Sequence, residues 1–238
     1  MISHFEMLSD WQWYRRRGGS DRKSTEVFFR HWIPMLAPAT PHIAEEFWSK
    51  VGNQDMVSEH IISNISELED DIIHIAKEQY LRDLIDSSRN VKGLASRHSE
   101  VAISKCIIQT SPKWKNDIAI EALSLSVENF DFKRNGMNHV KSLEVFEVEK
   151  LRGEVIQTWQ SFTTGNKKTR GKIHTWSEAE KSLINLKFNE TEFINKNADF
   201  IAYSLSIDNV FSYDVGDGDD VAGKARVSSP LNPGIAFI

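Results

Sequence analysis

The sequence predicts an α+β protein in which an N-terminal helical bundle, residues 1–98, precedes a smaller α/β domain, residues 99–238. Through the first part, apolar residues recur at helical spacing and the connections between segments are short, which is typical of a bundle. The run EVAISKCIIQTS at 100–111 is rich in β-branched residues and predicts the first strand. Helical segments and two more strand-like runs follow it, which favours an α/β domain.

The composition describes an ordinary globular chain. Its 238 residues are enough for a sizeable core, 40% of them are hydrophobic, and the formal net charge is −5. These values exclude a disordered chain and a uniformly basic nucleic-acid-binding protein. No apolar run approaches the roughly 18 residues of a membrane span, and the N-terminus lacks the pattern of a secretory signal. The sequence therefore predicts a cytoplasmic protein without a membrane partner.

The first two predicted helices have recognisable ends. A helix over residues 1–17 stops at the glycine pair Gly18 and Gly19. A second helix begins near Ser24 and is expected to break near Pro34 and Pro38, because proline cannot donate a backbone hydrogen bond within a helix.

The third helix begins within the stretch MLAPATPHIAEEFW, residues 35–48. Thr40 fits the capping position, Pro41 fits the first helical position, and Gly52 ends the helix. Four apolar residues share one face at helical spacing and predict close packing: Ala44, Phe47, Trp48 and Val51. A zinc-binding helix would need a second histidine beside Glu45, so His42 is predicted to have no metal role.

A long amphipathic helix is predicted within residues 64–90. Its apolar stripe comprises Ile65, Leu68, Ile72, Ile75, Ala76, Tyr80 and Leu84. Beyond the first strand, the pattern predicts helices at 112–123, 138–163, 177–187 and 190–206, and strands at 209–215 and 233–238. The 138–163 helix depends on the near-heptad spacing of Val148, Leu151, Val155, Trp159 and Phe162.

No motif for catalysis or cofactor binding is present. The chain has no G-x-x-x-x-G-K-[ST] phosphate loop, no G-x-S-x-G nucleophile turn and no C-x-x-C pair. The acidic run VGDGDDVAG at 215–223 has Val221 where a dinucleotide fingerprint needs its third glycine, and it lacks the calcium-loop spacing. The single cysteine, Cys106, has apolar neighbours and is predicted to be buried. We therefore predict no catalytic residue and no metal site on this chain.

Positive charge is concentrated in two stretches that also contain aromatic residues. WQWYRRRGGSDRK at 11–23 has five cations and one acid, and TGNKKTRGKIHTW at 164–176 has four cations and no acid. The rest of the chain is acidic, with 20 cations and 33 acids. Either stretch alone is equally well explained by a solvated loop. Together they favour a limited contact with a phosphate backbone.

Four stretches resemble one family. MLAPATPHIAEEFW resembles the LLAPFTPHIAEELW-type signature in the anticodon-binding bundle of class I aminoacyl-tRNA synthetases for leucine, isoleucine, valine and methionine. LSDWQWYRRRGG at 8–19 resembles the preceding helix of the archaeal and eukaryotic leucyl branch. CIIQTSPKWKNDIAIEAL at 106–123 and GKARVSSPLNPGIAFI at 223–238 are similar to that branch's strand–Trp–helix segment and C-terminus. The chain thus resembles the C-terminal region of an archaeal/eukaryotic-type leucyl-tRNA synthetase.

The resemblance implies tRNA binding. The bundle would hold the tRNA near its corner and stem, and the C-terminal domain would recognise the long variable arm of leucine tRNA. Cations would contact phosphates, and the C-terminal strand would contact loop bases through backbone groups or aromatic stacking. Lys224 and Arg226 fall on family motif positions, whereas the cations of the second stretch rest on charge alone. The predicted tRNA-binding residues are Arg15, Arg16, Arg17, Lys167, Lys168, Arg170, Lys172, Lys224, Arg226, Phe237 and Ile238.

The family's nucleotide-site motifs, catalytic core and editing domain are absent from the sequence. The resemblance therefore implies that this chain alone does not catalyse aminoacylation, that ATP and Mg²⁺ belong to the full enzyme, and that the rest of the synthetase is a further partner. An alternative function is a protein–protein scaffold that docks to a separate catalytic synthetase chain. Such a scaffold would use the Trp-rich bundle and tolerate loss of the basic loop.

Overall fold

The structure is a computed structural model that describes residues 4–60, 72–98, 103–127, 136, 138, 140–163, 171–214, 223–224 and 226–238. The chain divides into two compact units, Met1–Glu69 and Asp70–Ile238. We call them the N-terminal unit and the C-terminal unit. The fold is mainly helical with one small sheet, which confirms the predicted α+β class.

Three α-helices form the described part of the N-terminal unit: α1 (His4–Arg16), α2 (Arg22–Leu36) and α3 (Pro41–Lys50). A 3₁₀ turn, Val57–Glu59, follows them. Asp21 caps α2 by accepting a hydrogen bond from the Ser24 amide at 2.7 Å. Pro34 lies buried inside the last turn of α2, and the helix ends at Leu36, between the two prolines near which the sequence predicts its break.

The signature stretch at 35–48 serves the packing of α3. Pro41 occupies the first helical position as predicted, but the Thr40 side chain donates to the Leu36 carbonyl at 3.3 Å and makes no cap bond. Glu45 Oε2 accepts the Val57 amide at 2.9 Å, and Trp48 Nε1 donates to Asp55 at 3.1 Å. The helix therefore fixes the chain that follows it.

The buried core of the N-terminal unit includes only part of the predicted apolar face of α3. Ile33, Ala44, Trp48 and Val57 form its buried cluster. Phe47 and Val51, predicted to be packed, are 39% and 46% exposed. The prediction was wrong for these two because helical spacing identifies a face but not how much of that face a neighbour covers.

The C-terminal unit contains the remaining described elements. They are α4 (Ile72–His98), β1 (Lys105–Gln109), α5 (Lys113–Val127), α6 (Arg152–Thr163), α7 (Glu178–Asn185), α8 (Glu190–Lys196), α9 (Ala198–Leu205), β2 (Asn209–Tyr213) and β3 (Gly234–Phe237). Three 3₁₀ segments, Glu144–Glu147, Glu149–Leu151 and Lys172–His174, connect some of these elements. A strand lies within each of the three runs predicted at 100–111, 209–215 and 233–238, so the three predicted strands are confirmed with shorter bounds.

The division between the units lies at 69/70, whereas the sequence predicts a boundary at 98/99. The difference comes from α4, whose contacts belong to the C-terminal unit. Its Tyr80 hydroxyl donates to Glu190 Oε2 at 2.7 Å, and its Lys92 Nζ donates to the Leu205 carbonyl at 2.6 Å. The functions assigned to the two predicted domains stay predictions.

The predicted stripe of the long helix is only partly buried. Ala76, Tyr80 and Leu84 are buried, but Ile72 and Ile75 are 43% and 55% exposed. The remaining stripe members, Ile65 and Leu68, lie outside the described residues.

The sheet has the strand order β2-β1-β3, with β1 parallel to β2 and antiparallel to β3. Cys106 pairs with Val210 on one side and with Phe237 on the other. The edge strand β2 is blocked at Ser212, because the Asn195 side chain accepts from the Ser212 amide at 3.2 Å and donates to its carbonyl at 3.4 Å. A side-chain amide thus occupies backbone groups that would otherwise be open to another strand.

Two predicted helices are interrupted. The predicted helix at 138–163 is interrupted after its helical residues 140–142 and becomes regular again in α6. In the interruption, Val148 is extended between two 3₁₀ segments with 49% of its surface exposed. Val148 therefore lacks the burial that would stabilise a helix at this position. The predicted helix at 190–206 divides into α8 and α9 at Asn197, whose Nδ2 donates to the Phe193 carbonyl at 2.8 Å. This side chain competes with the backbone for a helical acceptor.

Candidate nucleic-acid interface

The first predicted cation cluster, Arg15 to Arg17, lies at the C-terminal end of α1. Arg15 and Arg16 are exposed and Arg17 is half-buried. Arg15 Nη1 donates to the Gly19 carbonyl at 2.9 Å, and the Arg16 guanidinium lies 5.6 Å from the centroid of the Trp13 ring. These contacts orient two exposed guanidinium groups, which suits phosphate oxygens. The same position also suits the negative end of the helix dipole.

A tight turn after α1 fixes this cluster. Gly18 has a φ of 87°, where a residue with a side chain is strained, and Gly19 lies directly against the Tyr14 ring. The Tyr14 hydroxyl accepts the Asp21 amide at 3.1 Å, and the ring centroids of Tyr14 and Trp11 are 5.2 Å apart. The aromatic residues of this stretch therefore pack the turn.

The second predicted cluster is described only at Lys172. The other three members, Lys167, Lys168 and Arg170, lie outside the described residues. Lys172 is half-buried, its Nζ donates to Ser229 Oγ at 2.7 Å, and it lies 5.8 Å from the centroid of the Phe162 ring. Its ammonium is therefore engaged inside the C-terminal unit, which the charge pattern alone did not indicate.

The two motif cations occupy one turn before β3. Lys224 is half-buried and its carbonyl accepts the Val227 and Ser228 amides at 3.2 and 3.1 Å. Arg226 is exposed, and its carbonyl accepts Lys115 Nζ at 3.0 Å. The turn therefore holds the Arg226 backbone while its side chain faces solvent.

The predicted tail contacts are partly used within the sheet. Phe237 is half-buried in β3, whereas Ile238 is 64% exposed. The Ile238 carbonyl accepts the amides of Ser104 and Lys105 at 3.2 and 3.0 Å, and its amide donates to the Lys105 carbonyl at 3.0 Å. The backbone groups of Ile238 are thus occupied, and its side chain is the exposed part.

The structure adds two residues that the sequence analysis missed, Lys115 and Glu190. Lys115 is 5% exposed, and its Nζ donates to the carbonyls of Arg226 and Ser228 at 3.0 and 2.8 Å. Glu190 is also 5% exposed, and its Oε1 accepts the Leu231 amide at 3.1 Å. Helical spacing could have found both. Lys115 precedes buried Ile118 and Ala119 by three and four residues, and Glu190 precedes buried Ile194 by four.

Burial dominates the electrostatics of these inward groups. It raises the pKa of the Glu190 carboxyl to about 7, against the lowering effect of its bonds from Tyr80 and Leu231. Burial also lowers the pKa of both Lys115 and Lys172, and Lys172 further lowers that of Lys115 by repulsion between like charges. Three titratable groups, Lys115, Lys172 and Glu190, therefore hold the 226–231 segment from inside the unit.

Other chemistry receives no support from the described residues. The Cys106 thiol is buried, and burial raises its pKa to about 12, which disfavours the reactive thiolate. No three His, Cys, Asp or Glu side chains within the described ranges are placed to hold a metal ion. None of the described helices is both long enough and apolar enough to cross a membrane.

Comparison with known proteins identifies the relatives of this chain. Residues 4–107 match the family described as the anticodon-binding domain of tRNA ligase. The chain is 26% identical over 246 residues to a leucine–tRNA ligase of Methanococcus maripaludis strain C7, covering 98% of this chain and 21% of that protein. It is 28% identical over 206 residues to leucine–tRNA ligase 1 of Sulfolobus acidocaldarius, covering 86% of the chain and 19% of the relative.

A third relative is the leucine–tRNA ligase of Archaeoglobus fulgidus, 30% identical over 188 residues, with 79% of the chain and 18% of the relative covered. The chain spans about a fifth of the length of the curated relatives it matches. All three are archaeal, in agreement with the resemblance to the archaeal and eukaryotic branch. The chain therefore belongs to the leucine–tRNA ligase family, corresponds to the C-terminal region of such an enzyme, and carries its anticodon-binding domain at residues 4–107.

Proposed function

We propose that this chain is the tRNA-binding C-terminal part of a leucine–tRNA ligase and positions leucine tRNA for aminoacylation. The N-terminal unit binds the tRNA near its corner and stem, and the C-terminal unit recognises the long variable arm. The observation that carries this proposal is the similarity to leucine–tRNA ligases along 98% of the chain. The acidic balance of the whole chain restricts the RNA contact to local basic surfaces.

The exposure of the predicted residues supports fewer RNA contacts than the sequence predicts. Arg15 and Arg16 present oriented guanidinium groups in the N-terminal unit, and Arg226 has an exposed side chain in the C-terminal unit. Arginine suits phosphate because its planar group donates two parallel hydrogen bonds. The exposed side chain of Ile238 offers a loop base an apolar contact. Lys167, Lys168 and Arg170 stay in the set on charge alone.

Within the proposed enzyme, ATP-dependent chemistry and its Mg²⁺ belong to the parts of the relatives that this chain does not match. In this proposal the residues of the chain carry out no catalytic step. Their role in the reaction is to bind and orient the tRNA. The rest of the synthetase is the second partner that this proposal requires.

A salt titration tests the proposal. Binding of the 238-residue chain to leucine tRNA is measured by fluorescence anisotropy at increasing salt, beside the same tRNA with a shortened variable arm. Each phosphate contact contributes about 0.7 to 0.9 to the slope of log affinity against log salt. We expect steep salt dependence and weaker binding of the shortened tRNA.

Two variants test the tRNA contacts of the N-terminal unit and those of the C-terminal unit separately. Replacing Arg15 and Arg16 by Gln should weaken both tRNAs and reduce the slope by about 1.4 to 1.8. Replacing Lys167, Lys168 and Arg170 by Ala should weaken only the tRNA with the full arm. Equal, salt-independent binding of both tRNAs by all variants would contradict the proposal.

A groove in the C-terminal unit supports a second candidate function, docking of another protein. It has a volume of about 780 Å³, and its apolar wall includes Trp114, Ile118, Leu143 and Val145. Its charged groups are four acids and one lysine: Asp117, Glu121, Glu144, Asp214 and Lys113. This balance repels phosphate and complements a basic, partly apolar segment of a partner protein. The occupant proposed here is such a segment of a separate synthetase chain.

A short labelled peptide of alternating Lys and Leu is a direct probe of this groove. The variant with Asp117→Asn, Glu121→Gln and Glu144→Gln should bind it at least fivefold more weakly. A control variant with Asp199→Asn and Asp208→Asn neutralises exposed acids elsewhere in the same unit. Equal loss in both variants would show non-specific attraction and contradict docking in the groove.

A further inference from the structure

We propose that Lys115 and Lys172 are positioning residues, which hold the segment 226–231 in one shape so that its exposed side chains meet RNA. The inference rests on the proposed tRNA binding and assigns to Lys172 a role different from the phosphate contact that its charge suggests. It also brings Lys115, which lies far from the segment in sequence, into the RNA-binding apparatus.

Lys115 holds the first half of the segment. Its side chain extends from α5 and donates to two carbonyls, Arg226 at 3.0 Å and Ser228 at 2.8 Å. An ammonium group has three N–H donors. It can therefore bridge two carbonyls of a turn when both carbonyls point in the same direction. With Lys115 only 5% exposed, its ammonium is not available to a phosphate at the surface.

Lys172 holds the next position. Its Nζ donates to Ser229 Oγ at 2.7 Å and lies 5.8 Å from the centroid of the Phe162 ring, against the end of α6. The backbone at Gly171 lies so close to this end of α6 that a Cβ at Gly171 would collide with the Thr163 carbonyl. Burial lowers the pKa of Lys172, as expected for an ammonium withdrawn from water.

The segment supports the same arrangement from its own side. Ser229 and Asn232 exchange backbone hydrogen bonds of 3.0 and 2.8 Å, and the Leu231 amide donates to the buried carboxyl of Glu190 at 3.1 Å. The Leu231 bond, like those of the two lysines, joins this stretch to a buried or half-buried side chain. The outward side chains are Arg226, which is exposed, and Val227, which is 66% exposed.

A segment fixed before binding loses less conformational freedom when RNA arrives, so each of its contacts contributes more to affinity. A positioning lysine and a phosphate-binding lysine therefore differ in a measurable way. Loss of a phosphate contact reduces the salt slope, whereas loss of an internal bond reduces affinity at unchanged slope.

A double-mutant cycle on Lys172 and Ser229 separates these roles. Lys172→Met removes the donor and the charge, while Ser229→Ala removes only the acceptor and leaves the lysine charged. If the bond between them positions the segment, each variant weakens leucine tRNA binding by about five- to tenfold at an unchanged salt slope. The double variant then binds no more weakly than either single variant, because the same bond is lost.

The opposite pattern would overturn the positioning role. A phosphate contact predicts that Lys172→Met reduces the salt slope by about 0.7 to 0.9, while Ser229→Ala leaves binding unchanged or stronger. Lys196→Met is the matched control, because it removes an exposed lysine of the same unit. It should change neither the affinity nor the slope by a comparable amount.

Amide hydrogen exchange keeps the test independent of RNA. Loss of either partner should speed exchange at Ser229, Leu231 and Asn232 at least fivefold, while amides of β1 stay protected. If the wild type does not bind tRNA but the variants show this faster exchange, the proposed function fails and the anchoring stands. If exchange at the three amides is unchanged, the positioning role is wrong even where tRNA binds. Circular dichroism confirms that each variant is folded.

Discussion

The arginines at the end of α1 and the lysines beneath segment 226–231 place positive charge in two different ways. Arg15 and Arg16 are exposed, and their contacts with the Gly19 carbonyl and the Trp13 ring are local. Lys115 and Lys172 turn inward to carbonyl and hydroxyl oxygens of a distant segment. The exposed arginines can replace bound water with phosphate oxygens. The ammonium groups of the two lysines already contact protein oxygens in place of water.

The difference shows that a cation's role depends on the acceptors around it. Segment 226–231 presents inward oxygens, and lysine ammonium groups satisfy them at the cost of their own hydration. In the turn after α1, Arg15 donates to the Gly19 carbonyl and stays exposed. Charge counts in the sequence treat both groups alike, and only the supply of acceptors separates them.

The largest expected effect concerns the pH dependence of the inward groups. Glu190 has a folded-state pKa of about 7, raised from 4.5 by burial. Between these values the folded state keeps a proton that the unfolded state has lost, so stability falls as pH rises through this window. The loss reaches about 3 kcal/mol above pH 7. Glu190→Gln should remove that part of the pH dependence in urea unfolding from pH 4.5 to 8.

The comparison between the wild type and Glu190→Gln is the decisive quantity, because burial also raises the pKa of Asp83. That carboxyl contributes equally to both proteins and cancels in the difference. Parallel pH profiles would show that Glu190 titrates alike in the folded and unfolded states. The inward carboxyl would then resemble a surface group.

The next effect is the loss of Lys115. Lys115→Met keeps the length and apolar stem of the side chain but leaves the carbonyls of Arg226 and Ser228 without this donor. Unfolding in urea should show a loss of about 2 kcal/mol. Lys113→Met, on an exposed residue of the same helix, should change stability by less than about 0.5 kcal/mol. Equal effects would erase the distinction between inward and outward lysines.

A smaller effect is expected at the turn that supports the arginines. Gly19→Ala forces a Cβ into the Tyr14 ring, which Trp11 and the Asp21 amide hold in place, and should cost roughly 1.5 kcal/mol. Gly18→Ala meets no atom within 4 Å but keeps a φ of 87°, so it should cost about 1 kcal/mol. Thermal unfolding compares the two. A larger loss at Gly18 would show that backbone strain, and not the ring, fixes the turn.

The smallest stability effect belongs to the exposed arginine. Arg16→Gln should change the free energy of unfolding by less than about 0.5 kcal/mol, because a solvated cation over a ring contributes little. The same variant should lower the salt slope of tRNA binding by about 0.7 to 0.9. A large stability loss with an unchanged salt slope would show that Arg16, like the inward lysines, supports the fold and does not contact phosphate.

The sequence was sufficient for the family and for most element types. Pro41 predicts the start of α3, the glycine pair predicts the end of α1, and the β-branched run predicts β1, because capping residues, glycine and branched side chains act within a few residues of their own position. The signature and motif stretches indicated the leucine–tRNA ligase family, which the comparisons support. Buried Cys106 was likewise predictable from its apolar neighbours.

Tertiary structure alone decided which polar groups face inward. The chain brings Lys115 and Lys172 to oxygens 111 and 57 residues away, and Tyr80 to a carboxylate 110 residues away. It also leaves Phe47 and Ile75 exposed on faces whose spacing predicts burial. Local patterns determine what each residue can do, but the partner that satisfies or covers it comes from elsewhere in the chain. Hydrogen-bond acceptors and apolar neighbours are therefore assigned only when the units fold.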